Sequence, residues 1–164
     1  MAAKENSFDV VSDIDMQEMD NSINQVNKEI TQRYDFKGSA AKIELSGDEL
    51  KLAAEDEYKI EAVLDMLRMR MAKRGLPLRC LLPGKIEPAA RGSVRQNITI
   101  QKGINKDKAK DIVNTVKNLK LKVQASIQND QIRISGAKKD DLQAVIAALK
   151  QADFGIDLQF VNMR

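Results

Sequence analysis

Val123-Gln-Ala-Ser-Ile-Gln-Asn-Asp-Gln-Ile-Arg-Ile-Ser-Gly136 is the stretch from which the rest of the chain is best read. Val123, Ala125 and Ile127 alternate with polar residues, Ile132 and Ile134 alternate with Gln131, Arg133 and Ser135, and Asn129-Asp130 separates the two runs. A period of two marks a strand with one buried face, and Asn-Asp tolerates the backbone of a tight turn, so the stretch is a hairpin. Helical patterns lie on both sides. Upstream, Asn105 is placed to cap a helix whose apolar face is Ala109, Ile112, Val113, Val116 and Leu119. Downstream, residues 140–152 put Leu142, Val145, Ile146 and Leu149 on one face. Ile98 and Ile100 mark a strand before the first helix, and Leu158 and Phe160 mark one after the second. The order β-α-β-β-α-β is the split βαβ, or ferredoxin-like, motif.

The first half repeats that order. Phe8, Val10 and Ile14 alternate as a strand; Met16, Met19, Ile23, Val26, Ile30 and Tyr34 follow at helical spacing, with Asp15 and Glu18 resembling a capping box. Ala41-Ile43-Leu45 and Leu50-Leu52-Ala54 form a hairpin through Ser46-Gly-Asp-Glu49. A second helix carries Ile60, Val63, Leu64, Leu67 and Met71 and stops at Gly75, and a strand around residues 78–82 closes the unit. The fold class is therefore α+β, two ferredoxin-like domains, each a four-stranded antiparallel sheet with two helices on one face. The expected division is residues 1–84 and 93–164, with a linker over 85–92 inside the stretch Pro83–Gly92, which holds two of the three prolines. Chain order leaves open whether the strands near residues 7–14 and 157–164 pair within their own half or exchange.

Composition narrows the function. Of 164 residues, 43% are hydrophobic and 31% charged, which suits a soluble folded protein. No stretch approaches the roughly 20 apolar residues of a membrane span, and residues 1–6 lack a signal-peptide core, so a cytoplasmic protein without membrane association is expected. A single cysteine, Cys80, and the absence of histidine exclude an internal disulfide, the usual zinc sets and histidine-based acid–base catalysis; no metal or cofactor is expected. Glycine spacing gives no dinucleotide fingerprint, and Gly84-Lys85 lacks the flanking residues of a phosphate loop. Asp140-Asp141 opens a helix, where the dipole favours carboxylates, and Cys80 sits in an apolar strand. No catalytic residue is assigned, and the chain reads as a binder.

Charge is segregated along the chain. Residues 1–65 carry 7 basic and 16 acidic side chains, whereas residues 91–139 carry 12 and 3. On the expected division the uncovered sheet face of the second half displays Arg95, Asn97, Thr99, Gln101, Lys122, Gln124, Arg133 and Ser135, a basic, amide-rich surface without aromatics. Such a face either contacts phosphates through its cations or is simply solvated. Arg33-Tyr-Asp-Phe-Lys-Gly38 places two aromatics, two cations and a carboxylate where a helix must end. Phe36 or Tyr34 could stack on a base while Arg33 and Lys37 hold phosphate, or the aromatics could plug the core with Arg33 and Asp35 as a local ion pair. At the end of the second helix, Arg68, Arg70, Lys73 and Arg74 are accounted for by the helix dipole, and Arg70, Lys73 and Arg74 are also within reach of a polyanion. The candidate nucleotide- or phosphate-binding residues are Arg33, Phe36, Lys37, Lys73, Arg74, Arg95, Lys122 and Arg133.

Ser7-Phe-Asp-Val-Val-Ser12, Arg33-Tyr-Asp-Phe-Lys-Gly38, Lys73-Arg-Gly75, Gln131-Ile-Arg-Ile-Ser-Gly136, Asp140-Asp-Leu-Gln-Ala-Val-Ile146 and Gln159-Phe-Val-Asn-Met-Arg164, in that order, resemble the bacterial YajQ family. Met163 departs from the aromatic common there, which weakens a stacking role for the tail. The resemblance implies a cytoplasmic, non-catalytic nucleotide-binding protein of two ferredoxin-like domains. Its ligands would be purine nucleotides such as GTP or ATP, or RNA such as tRNA. The alternative it implies is a cyclic di-GMP-responsive adaptor acting on a transcription regulator. A third reading has the oppositely charged stretches neutralise each other across a domain interface, with no ligand at all.

Overall fold

The computed structural model describes residues 5–164. The first four residues, which belong to the N-terminal stretch read above for a signal peptide, lie outside it. Eight strands and four helices follow in the order β1 (Asn6–Val11), α1 (Met16–Gln32), β2 (Lys42–Ser46), β3 (Glu49–Ala54), α2 (Glu57–Lys73), β4 (Leu81–Pro88), β5 (Val94–Ile100), α3 (Lys106–Asn118), β6 (Val123–Gln128), β7 (Gln131–Gly136), α4 (Lys139–Gln151) and β8 (Gln159–Val161). They build two antiparallel sheets, β6-β7-β1-β8 and β2-β3-β5-β4. Both domains are ferredoxin-like. Among the described residues no helix is long and apolar enough to cross a membrane.

The two compact units are residues 14–101, and residues 1–13 together with 102–164. The chain therefore divides differently from the expected cut at residues 84 and 93. β5, expected to open the second domain, lies between β3 and β4. β1, expected in the first domain, lies between β7 and β8. The first strands of the two halves are exchanged, so 14–101 is a ferredoxin-like domain whose opening strand comes last, inserted after β1 of the other. Of the two segments considered for exchange, β1 exchanges, while β8 stays in the sheet of its own half. Residues 85–88 of the expected linker are part of β4, which hydrogen-bonds to β5. Alternation fixes which face of a strand is buried and says nothing about its neighbour, and this is why the swap is invisible in periodicity.

Each exchanged strand supplies core. Phe8 and Val10 of β1 are fully buried with Ile132, Ile134, Ile112 and Val145, and Ile98 and Ile100 of β5 are buried with Leu50, Leu52, Ile60 and Leu67. A buried side chain of this size stabilises by about 1.5–3 kcal/mol, so neither sheet is viable without its interior strand. The helices begin at side-chain caps: Asp15 accepts from the N–H groups of Gln17 and Glu18 at 3.1 Å, Asp56 from Lys59 and Asn105 from Lys108. Glu18 is not the reciprocal half of a capping box, because its carboxylate instead meets Arg74 at 3.2 Å.

The exchange also rewrites the electrostatics. Counted over the observed units, residues 14–101 carry 14 basic and 14 acidic side chains, and the other unit carries 13 and 10. The opposition of an acidic and a basic module disappears. Arg95 leaves the second-half sheet with β5 and pairs with Glu87 at 3.2 Å. In its place Asp9 arrives opposite Arg133. Asp9 is 1% exposed, and accepts from Arg133 Nε at 3.0 Å and from Asn162 Nδ2 at 2.8 Å. Asn162 reaches it from a bulge: Val161 lies opposite Asp9, Ser7 exchanges both backbone bonds with Arg164, and Asn162 has φ 57°.

Two outcomes follow from this arrangement. Residues 14–101 expressed alone should give a dispersed amide spectrum and a cooperative melt, whereas residues 1–84, lacking β5, should give neither. The Arg133 hydrogen bond, seconded by Asn162 against the cost of burial, holds the Asp9 carboxyl below its ordinary 3.8. Its contribution is thus present above the unfolded value near 4 and is lost as pH falls through the lower folded value. Asp9→Asn should therefore flatten the loss of Tm below about pH 4, measured by calorimetry.

Candidate functional site

Ile30 is the last buried residue of α1, and the chain leaves the helix at Arg33, whose backbone is extended while its N–H still reaches Glu29 O at 2.9 Å. A single 3-10 turn over Tyr34–Phe36 follows, and Gly38 turns away at φ 72° into β2. This geometry separates the two aromatics. Phe36 is 3% exposed and belongs to the core of its unit, whereas Tyr34 is 88% exposed. The Phe36 ring has the Arg33 guanidinium 5.5 Å and Lys59 Nζ 5.0 Å from its centroid, and Lys59 also donates to Asp35 O at 2.9 Å. Phe36 is a core plug held between two cations and presents no face to a base.

A cavity of about 530 Å³ opens beside this turn, lined by Asn27, Ile30, Thr31, Arg33, Tyr34, Lys37 and Lys42 among others. That size is within the roughly 300–1,000 Å³ of small-molecule sites. Its walls are fixed by hydrogen bonds. Asn27 both donates to Ile43 O at 2.8 Å and accepts from Ile43 N–H at 3.1 Å, tying α1 to the edge strand β2. Glu55 accepts from Ser39 Oγ at 2.7 Å and Ala40 N–H at 2.6 Å. Partial burial works against the Glu55 charge, yet these bonds outweigh it and lower its pKa.

Arg33 is committed to its neighbours. Its Nε and Nη2 make a bidentate pair with Asp35 at 3.0 and 2.8 Å, and Glu29 lies 3.9 Å from Nη1. The hydrogen bond from Arg33 lowers the pKa of Asp35, and Asp35 in turn raises that of Arg33. Lys37 is exposed at the cavity and, among the described residues, forms no ion pair. Lys42, on the same wall, pairs with Glu44 at 3.0 Å with both side chains more than half exposed, a weak and exchangeable contact.

The other sequence candidates are elsewhere. Arg74 is bound to Glu18, and its neighbour Arg70 to Glu29 at 3.1 Å, so the last turn of α2 is clamped to α1. Lys73 is exposed. Arg95 lies over a shallow groove on the uncovered face of the same sheet, with Lys42, Lys51 and Asn97. Lys122 and Arg133 belong to the other unit, Lys122 exposed before β6 and Arg133 engaged with Asp9. The structure thus gathers Arg33, Phe36 and Lys37 in one place and disperses the rest. Tyr58, Lys59 and Lys42 escape the sequence reading. Tyr58 is 78% exposed at the start of α2, next to Lys59, whose ammonium lies over the Phe36 ring. No local pattern links positions 33 and 58.

Residues 6–164 match the family described as nucleotide-binding protein YajQ-like. The chain belongs to the YajQ-like family. A nucleotide-binding protein of Geotalea uraniireducens is 53% identical over 158 residues, covering 96% of this chain and 98% of that one. One from Syntrophotalea carbinolica is 54% identical with the same coverage, and one from Bacillus cytotoxicus is 52% identical over 162 residues, 99% of each chain. In this YajQ-like chain the Arg33–Gly38 segment is both a core plug and a cavity wall, which makes its residues separable by mutation. Phe36→Ala should cost about 3–5 kcal/mol in urea unfolding, while Tyr34→Ala should leave stability unchanged within about 0.5 kcal/mol.

Proposed function

We propose that the chain is a cytoplasmic nucleotide-binding protein that acts without catalysis and takes a purine nucleotide such as GTP or ATP at the cavity beside Tyr34–Lys42. The single observation carrying this reading is the coincidence of a cavity large enough for a nucleotide with an exposed aromatic and an exposed cation, Tyr34 and Lys37, in the Arg33–Gly38 segment. Tyr34 offers a face to the base, and Lys37 with Lys42 offers charge to the phosphates. The names of the relatives support the ligand class. The carboxylates nearest the cavity, Asp35, Glu29 and Glu55, are all held by hydrogen bonds or ion pairs, which favours binding over proton transfer.

A single-stranded nucleotide of an RNA such as tRNA presents the same chemistry to this cavity. A second reading, the cyclic di-GMP adaptor docking on a transcription regulator, is favoured by two exposed tyrosines, Tyr34 and Tyr58, each next in sequence to a cation that packs on Phe36, one for each base of a cyclic dinucleotide. Amide chemical shifts recorded on titrating GTP, ATP, cyclic di-GMP and a short RNA distinguish these ligands. Shifts are expected at residues 27–42, with Lys37→Glu and Tyr34→Ala each weakening affinity about tenfold or more and Lys122→Glu leaving it unchanged. A requirement for Tyr58 restricted to cyclic di-GMP would favour the second reading. Shifts confined to the other unit, or affinity indifferent to Tyr34 and Lys37, would overturn the site.

A further inference from the structure

We propose that β6 is an assembly edge, pairing antiparallel with β6 of a second copy of this chain about a two-fold axis through Ala125. Each sheet has two edge strands, and three of the four are obstructed. β2 has Asn27 bonded to the backbone of Ile43. β4 carries Pro83 and Pro88 and a register shift. β8 has only three residues and runs into the Asn162 bulge. Pro, bulges, charge and shortness are the means by which edges are kept from pairing. β6, Val123-Gln-Ala-Ser-Ile-Gln128, has none of them: no proline, no charge, no bulge, and among the described residues it pairs with β7 alone.

Backbone parity points the free groups outward. Gln128 and Gln131 close a two-residue turn over Asn129 and Asp130, and such a closing pair is hydrogen-bonded. Counting back, Ser126 and Gln124 bond toward β7, so the N–H and C=O groups of Ala125 and Ile127 face away from it. The side chains of Val123, Ala125 and Ile127 share the face of Ile132 and Ile134; Val123 and Ala125 pack against the core, yet Ile127 is 48% exposed.

An axis through Ala125 places Ile127 opposite Val123 of the other copy, and Gln124 opposite Ser126, apolar on apolar and polar on polar. Lys122 then faces Gln128 of the other copy, and Lys120 approaches its Asp130, so no like charges meet. Moving the axis to Ser126 would set Val123 against the Asn129 turn and lose the apolar match.

The test uses the full-length chain. Sedimentation velocity should show a concentration-dependent dimer that Ile127→Lys and Ala125→Pro convert to monomer with unchanged far-UV circular dichroism. Ala125→Cys should form an intermolecular disulfide under mild oxidation, since a hydrogen-bonded pair sets the two Cα atoms about 5.5 Å apart. Val123→Cys, facing Ile127, should not. A monomer at all concentrations, a dimer indifferent to these substitutions, or equal cross-linking at Val123 and Ala125 would each overturn the proposal.

Discussion

Each sheet has as an interior strand the one expected in the other half, β1 with β7 and β8 and β5 with β3 and β4, and both cores depend on that strand. β1 carries Phe8 and Val10 into one core and Asp9 onto the uncovered face of the same sheet. β5 carries Ile98 and Ile100 into the other. An interior strand hydrogen-bonds on both sides and buries its apolar face, so losing it leaves two edges unpaired and a core open. Asp9 adds specificity to this constraint. Its carboxylate meets Arg133 and Asn162, whereas β5 in the same slot would have brought Arg95 into a sheet that already displays Arg133. The pairing that occurs puts opposite charges side by side.

The same logic of local pairing governs the candidate site. Most cations that drew notice in the sequence are engaged with carboxylates a few ångströms away: Arg33 with Asp35, Arg70 with Glu29, Arg74 with Glu18, Arg95 with Glu87, Arg133 with Asp9. What stands out at the cavity is a smaller set, Tyr34 and Lys37 with Lys42 alongside, on a wall held by Asn27 and Glu55. Architecture spends its arginines on fastening helices and strands, and leaves lysine and tyrosine at the cavity mouth.

Much of this was legible in the linear chain. The hairpins, the four helices, their apolar faces and the caps at Asp15 and Asn105 follow from period, spacing and residue chemistry. Strand partnership did not follow, because Phe8-Asp9-Val10 and Ile98-Thr99-Ile100 present the same alternation. The charge contrast along the chain does not become a contrast between units, because the basic residues 66–95 fold with the acidic residues 14–65 and leave that unit neutral. At Arg33–Gly38 composition identified the right segment without assigning roles. Only the turn geometry shows that Phe36 points inward and Tyr34 outward, and only the packing of α2 brings Lys59, with Tyr58 beside it in sequence, over the Phe36 ring.

The place of β1 has a consequence for how the protein is made. Its first ladder partner, β7, lies more than a hundred residues later, and all of residues 14–101 emerge in between. At a synthesis rate of about 5–20 residues per second, β1 waits on the order of ten seconds for its sheet. Residues 14–101 contain every strand of their own sheet and need not wait. Vectorial synthesis therefore orders assembly: the inserted unit is complete while the segment around Phe8, which emerges before it, remains an unpaired apolar strand open to chaperones.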